Sequence, residues 1–378
     1  MLGLREYTST EVELGEADLR AVVALTRGEG AVLRSVTPTG PGRCALVPGP
    51  FVGRLRLPGG LVLDIRSRLD LADTAALLAG YVGAPALLRD DPVPADEHGS
   101  LVDLVAVTFV DALERLVGRG LPKGYVERTF TRPPFAGRPD VATHLRRHAG
   151  RADRLVTRAQ RITRDVPVNQ VLARALDLLL RAPLRHARTR ARLTAMIPAL
   201  AAITRVPDVE RAIRVARLRL PAHGRDVFDA AVLVIRGTSL LPEGVDRSGA
   251  AVLFPMTSVW EAFVERTVAA EAAPGHRVER QVRVPITDPP DASHGRADVV
   301  EYDPEGRPVA VYDAKYKPIR SRPDPGDLYQ VFTYCRRLRV TRGVLVLPGR
   351  GGSTTYAMDD VTVEQRGLPV LVGAAQQQ

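Results

Sequence analysis

Hydrophobic and polar positions alternate in short runs over the first seventy residues. Residues 44–47, 52–57 and 61–65 each read as a strand, with Pro48-Gly49-Pro50 and Pro58-Gly59-Gly60 as turns. This predicts a small antiparallel β domain. The period then changes: Leu71, Ala75, Leu78 and Val82 recur at helical spacing. Residues 89–97 are a polar, proline-bearing linker. A second helix is expected over 101–118, with Leu104, Val107, Phe109, Ala112 and Leu116 for its apolar face. Residues 125–130 read as a short strand and 133–139 as loop. From 141 to 222 the pattern predicts a long arginine-rich helical region, with Leu172, Leu176, Leu179 and Leu180 turned inward. Asn169, the only asparagine, reads as a helix N-cap. Residues 228–235 form a short apolar helix or strand before a Gly/Pro-bearing loop, and a domain boundary falls near Gly249.

The last region opens at Val252-Leu-Phe-Pro255, followed by a helix. Ser258-Val-Trp-Glu261 fits a capping box, and Trp260, Phe263, Val264, Thr267 and Val268 form a buried stripe. Glu261 lies beside that stripe, so it either caps the helix or reaches a neighbouring site. Residues 296–317 then read as two strands joined at Asp303-Pro-Glu-Gly306. Asp298 opens the first strand and Asp313 closes the second, and a hairpin brings these two ends together. Side chains alternate along a strand, so Asp313 and Lys315 share a face with Ala314 between them. Two carboxylates and an ammonium on one face suit a hard divalent cation beside a phosphate. A salt-bridged surface strand end is the bland alternative. Asp324-Pro325 marks the next helix start, over 326–338, with Gln330 and Tyr334 four residues apart on one face. Residues 343–347 read as a buried strand, giving the order helix, strand, strand, helix, strand.

Composition sharpens the view of Lys315. Of 53 basic residues only Lys123, Lys315 and Lys317 are lysine, leaving 50 arginines. Two of the three lysines fall within Asp313-Ala-Lys-Tyr-Lys317. Lysine is a compact ammonium able to exchange a proton, and arginine is neither, so the choice points to chemistry at Lys315. A formal net charge of +10 favours a polyanionic partner such as nucleic acid. With 378 residues, 45% of them hydrophobic, the chain holds enough material for two or three packed domains. Cys44 and Cys335 are too few and too far apart for a disulfide framework or zinc site, which fits a reducing cytoplasm. Met1-Leu2-Gly3-Leu4 runs straight into charged residues, so no signal peptide is expected. The most apolar run, 72–88, is broken by Asp73, Gly80, Gly83 and Pro85, so no membrane span is expected. The 349–353 loop lacks Gly-Lys-Ser/Thr, as does the whole chain, which argues against a P-loop NTPase.

The ordered set Glu261, Asp298, Asp313-x-Lys315 resembles the PD-(D/E)XK nuclease superfamily, and Gln330-x-x-x-Tyr334 resembles the QxxxY signature of one of its branches. More specifically, the chain is similar to the McrC family, nuclease subunits of McrBC-type modification-dependent restriction systems. Phe254-Pro to Trp260-Glu261, Asp313 to Lys317 and Leu328 to Tyr334 carry that likeness. So do Lys123-Gly-Tyr-Val126, Gly137-Arg-Pro-Asp140 and Asp165-x-Pro-x-Asn169. Ala297 stands where the superfamily usually has proline, Ser67-Arg68 where the family often has Pro-Lys, and the first forty residues match little.

The resemblance implies an α+β/α/β multidomain chain. It would comprise a small β-rich domain over 1–95, an arginine-rich mainly helical domain over 96–248, and a PD-(D/E)XK nuclease fold over 249–378 with a mixed central sheet flanked by helices. It further implies that Asp298, Asp313 and the Ala314 carbonyl hold Mg²⁺, with Mn²⁺ as a substitute, and that Glu261 completes or supports the site. Lys315 would orient or deprotonate the attacking water, and Gln330 and Tyr334 would brace the site or touch DNA. The implied partners are a McrB-like AAA+ GTPase ring, docked through residues 1–245, and double-stranded DNA, often modified. Three rival readings remain open here: a stand-alone repair or recombination nuclease, a non-catalytic activator of an AAA+ ring, and a DNA-binding module.

Overall fold

The computed structural model describes residues 1–28, 31–84, 100–151, 153–218, 220–239, 251–288, 293–349 and 352–370. The expected linker at 89–97 and the boundary at Gly249 lie outside them, as does part of the 349–353 loop. The chain divides into two compact units: Met1–Val105 with Arg236–Gln378, and Ala106–Ile235. The expected division at 95 and 248 therefore groups the chain differently from its compact units.

The first unit begins with β1 (Leu2–Arg5), β2 (Thr10–Glu13), α1 (Glu16–Ala24), β3 (Leu33–Gly40), β4 (Arg43–Pro48), β5 (Phe51–Arg56), β6 (Val62–Arg66) and α2 (Leu71–Tyr81). The strands read from alternation in 44–65 are present, but they form two sheets rather than one. Strands β2, β4 and β3 pair antiparallel, while β1 lies parallel to β6 in a second sheet. Helix α1 escaped the pattern because its polar Glu, Asp and Arg residues leave only Val22 as a fully buried apolar anchor. Arg54, with no exposure, places its guanidinium 3.1 Å from Asp64 and 2.7 Å from Asp103, which opens α3 (Leu101–Arg119). A buried cation shared by two carboxylates ties β5, β6 and that helix start together.

The second unit carries β7 (Gly124–Phe130), β8 (Arg138–Pro139), α4 (Val141–His148), β9 (Thr157–Thr163), α5 (Pro167–Arg181), α6 (Ala187–Ala195), α7 (Ile197–Leu200) and α8 (Val209–Arg217), with α9 (Arg225–Ser239) running past its end. The long helical region expected over 141–222 is interrupted, because β9 pairs antiparallel with β7 and β8. Its sequence, TRAQRIT, has one large apolar residue, so hydrophobic periodicity gave no strand signal. Helix α5 buries Leu172, Leu176 and Leu179 as expected, but Leu180, also expected inward, is only half-buried. Asn169 is not its N-cap, since the helix starts at Pro167. Instead the buried amide donates to the carbonyls of Pro122, 2.9 Å away, and Arg164, 2.6 Å away.

The remainder of the first unit runs β10 (Ala251–Pro255), α10 (Met256–Glu271), β11 (Arg277–Pro285), β12 (His294–Tyr302), β13 (Pro308–Ala314), α11 (Pro325–Leu338), β14 (Arg342–Pro348), β15 (Ser353–Met358) and β16 (Val361–Leu368). Two expectations need correction here. Residues 252–255 do not open a separate domain: β10 completes the early sheet, whose order is β1-β6-β5-β10. Gly53 makes this possible, for it adopts φ 137° and a Cβ there would run into the Val252 carbonyl. Nor does Ser258 cap α10, which already starts at Met256 behind Pro255. The site-bearing sheet has the order β11-β12-β13-β14-β16-β15, with β13, β14 and β16 parallel and the other pairs antiparallel. Strands β11, β15 and β16 were not foreseen: β11 carries charges at 277, 279, 280 and 283, and β15, STTYAM, has no buried position. Trp260, fully buried on α10, donates its indole N–H to the Val346 carbonyl of β14 at 3.1 Å. Among the described residues no helix is long and apolar enough to cross a membrane.

Candidate active site

The hairpin of β12 and β13 places Val299 opposite Tyr312, so Asp298 and Asp313 are brought side by side. Asp298 lies mid-strand rather than at a strand start, since β12 begins at His294. Its Oδ2 accepts the Ala314 N–H at 2.8 Å, which fixes the carboxylate against the end of β13. Lys315 Nζ stands 2.7 Å from Asp313 Oδ2 and donates to Gln330 Oε1 at 2.9 Å. Gln330 in turn donates to the Tyr334 hydroxyl at 3.2 Å, and that hydroxyl also receives the Arg296 N–H at 3.3 Å. Gly295 allows the approach, because a Cβ on it would meet the Tyr334 ring. The spacing of Gln330 and Tyr334 on α11 thus becomes a hydrogen-bonded chain ending on Lys315.

Glu261 reaches the same site from α10 by way of a residue the sequence did not single out. Gln281 Nε2 donates to Glu261 Oε2 at 3.2 Å and to Asp298 Oδ1 at 3.4 Å. It adopts φ 54° within β11, between the pairs Arg280–Val299 and Val282–Ala297. A left-handed position inside a strand is costly for glutamine, and here it aims the amide at two carboxylates. Nothing in the local pattern marks Gln281, because a left-handed residue inside a strand leaves no periodic signal.

Burial raises Asp298 and Asp313 above the usual carboxylate range; their own neighbouring charges add to it, and Lys315 opposes it. Burial raises Glu261 as well. Burial also works against the Lys315 ammonium, but Asp313, Asp298 and Asp327 outweigh it and hold the lysine above its ordinary value. Asp313 has no exposure, and neither of its oxygens accepts a well-aligned hydrogen bond from the described residues, although Lys315 provides an ion pair. Such a carboxylate is costly without a further cation. Together with Asp298 it offers hard oxygen donors of the kind Mg²⁺ prefers. Among the described residues no three His, Cys, Asp or Glu side chains form a ready metal cage, so the fit rests on this pair.

Beside Lys315 opens a cleft of about 490 Å³ lined by Tyr7, Arg34, Lys317, Arg320 and Arg322 among others. Past Lys315, Tyr316 is buried and meets the turn that follows β1. Its hydroxyl donates to Glu6 Oε2 at 3.0 Å and lies 3.2 Å from Ser67 Oγ. Arg68 stacks on its ring at 4.2 Å. Burial pushes Glu6 up to about 7, against the Arg68 N–H and the Tyr316 hydroxyl.

A family model described as McrBC 5-methylcytosine restriction system component matches residues 46–348. The chain belongs to this McrBC family. Its fold is similar to that of a chain in the refined half-complex from the tetradecameric assembly of Thermococcus gammatolerans McrB AAA+ hexamers with bound McrC. The TM-score there is 0.60 at 16% identity, covering 97% of this chain and 94% of that one. A chain of the Thermococcus gammatolerans McrBC complex also aligns, with TM-score 0.46 and 14% identity over 72% of this chain and 88% of that one. No curated protein matches by sequence. Within this McrBC family member, the matched span includes all six side chains expected at the site, and it leaves out Glu6 and Tyr7.

Proposed function

We propose that this chain is the McrC-type DNA endonuclease of a restriction complex, a PD-(D/E)XK enzyme that hydrolyses phosphodiester bonds in the cytoplasm. The observation that carries the reading is the buried Asp298–Asp313 pair with Lys315 on the same face. Asp298, Asp313 and the Ala314 carbonyl would hold Mg²⁺, or Mn²⁺ in its place, with Glu261 in support. When bound, the cation supplies Lewis acidity toward the phosphate and lowers the pKa of a bound water.

The chain's own residues do the rest. Lys315, held as an ammonium by its acidic neighbours, donates a proton-bearing contact to the attacking water or the developing phosphorane charge. It is better suited to that than to acting as a base. Gln330 fixes the Lys315 Nζ position, and Tyr334 fixes Gln330. Gln281 holds Glu261 and Asp298 at a set spacing. Arg34, Lys317, Arg320 and Arg322 give the adjoining cleft the charge that a phosphate backbone requires.

McrB hexamers with bound McrC provide the precedent for the partner, so the expected partner here is a McrB-like AAA+ GTPase ring that recognises modified DNA and translocates it. The test is plasmid cleavage with Mg²⁺, using modified and unmodified DNA, for the wild type, Asp313→Ala and Lys315→Ala. Each is assayed alone and with the AAA+ protein encoded beside it plus GTP or ATP. Cleavage that needs partner and nucleotide and is lost in both variants supports the proposal. Cleavage by the chain alone points to a stand-alone nuclease. Stimulated nucleotide hydrolysis without cleavage in all three proteins leaves an activator of the ring.

A further inference from the structure

We propose that Glu6 and Tyr316 form a clamp by which the turn after the first strand positions Lys315; this rests on the nuclease reading above. The need for such a clamp arises where β13 stops. Its ladder to β14 ends at Ala314, after which the Lys315 N–H still reaches the Val346 carbonyl at 2.9 Å. The next bond is a tight turn, Lys317 N–H to the Lys315 carbonyl at 2.8 Å, with Tyr316 at its apex. Lys315 therefore sits on the last residue the sheet controls, and the side chain that fixes the turn is its neighbour.

Tyr316 is 3% exposed and held on every side. Its hydroxyl donates to Glu6 Oε2, which also accepts the Arg68 N–H at 3.0 Å, and Ser67 Oγ lies beside it. The Tyr7 hydroxyl donates to the Tyr316 carbonyl at 3.4 Å. The Arg68 guanidinium covers the Tyr316 ring and approaches Tyr7 at 5.7 Å. Tyr7 itself adopts φ 58°, a strained left-handed conformation for tyrosine. Glu6 is 2% exposed, and its Oε1 has no hydrogen-bond partner among the described residues. A buried carboxylate with one idle oxygen is an expensive way to secure a strand end. A positioning role for the residue beside Lys315 accounts for it. Glu6 and Tyr7 precede the span matched by the family model, so family membership alone does not require them.

The chain's three lysines make the test direct. The full-length protein, without DNA or metal, is treated briefly with an amine-acetylating reagent, and Lys315 labelling is read by mass spectrometry relative to exposed Lys123. In Tyr316→Phe and Glu6→Ala the Lys315/Lys123 ratio should rise about fivefold or more, as a local release of the turn would expose the ammonium. Glu6→Gln keeps an oxygen acceptor and should stay within about twofold of wild type. A ratio unchanged in both Tyr316→Phe and Glu6→Ala overturns the clamp, including when both lysines label faster through general loosening. In the cleavage assay the same two variants should lose about tenfold or more in kcat with DNA affinity unchanged. A shifted labelling ratio with no cleavage even by wild type would sink the nuclease reading and leave the clamp standing.

Discussion

Two small antiparallel arrangements in this molecule use the same kinds of residue to opposite ends. Around the β12–β13 hairpin, buried Asp313 pairs with a mostly buried Lys315, Gln330 accepts from that lysine, and Gln281 donates to Asp298. In the β7–β9–β8 sheet, Arg158 pairs with Glu127 in the open, and Tyr125, Val126 and Ile162 project into solvent. Water screens the second set, and each of its charges is content alone. The first set is mutually dependent, because a buried charge that loses its partner has nothing to replace it. Burial, not the presence of acids and bases, separates a site from a decorated surface.

The largest expected effect breaks the buried set. Asp313→Ala and Lys315→Ala should each lower DNA cleavage by about 10³-fold or more in the assembled complex, read as plasmid linearisation. Gln330→Ala and Tyr334→Phe remove the support for Lys315 rather than Lys315 itself. About tenfold lower kcat, with little change in KM, is expected in the same assay. Next comes the pH dependence of the metal-free protein. Asp298 and Asp313 bind protons more tightly when folded, toward about 6 against 3.8, so between those values the folded state takes up protons and stability falls as pH rises. Melting in EDTA should therefore be lower at pH 8 than at pH 5 by an amount equivalent to roughly 1–3 kcal/mol, and Mg²⁺ should narrow the gap by occupying the carboxylates. An increase in stability over that interval would contradict the raised carboxylates. The smallest effect belongs to the open sheet. Arg158→Ala should leave the melting temperature almost unchanged, and a large drop would show that the two regions differ less than their burial implies.

Much of the site was readable in the sequence because it is local. Asp313 and Lys315 are two residues apart on a strand, Gln330 and Tyr334 four apart on a helix, and a tight turn joins Asp298 to Asp313. Each relation follows from a backbone period. What stayed hidden depends on distant pairing. Gln281 acts through Glu261 and Asp298, which lie 20 and 17 residues away, and Glu6 through a tyrosine 310 residues away. The same distinction explains the fold. Helices α2, α3 and α11 carry clear periods and stand where expected, whereas β10 looked like the start of a domain because nothing in Ala251–Pro255 points back to Phe51–Arg56. Ser258 and Asn169 show a smaller lesson: each has the chemistry of a cap, but the backbone had already begun its helix upstream.

The pairing of β10 with β5 has a consequence for how the protein is made. While the ribosome delivers residues 57–250, β5 has emerged but its neighbour has not, and the strand presents an unpaired row of amides and carbonyls. The early sheet closes only after the whole second unit has been translated, and the same five residues that close it lead directly into the helix bearing Glu261. Maturation of the amino-terminal sheet and arrival of the first acidic residue of the site are thus successive moments of one event. An excised piece starting after Pro255 would carry Glu261, Asp298, Asp313 and Lys315 without the Glu6 contact to Tyr316, and would leave behind a sticky edge.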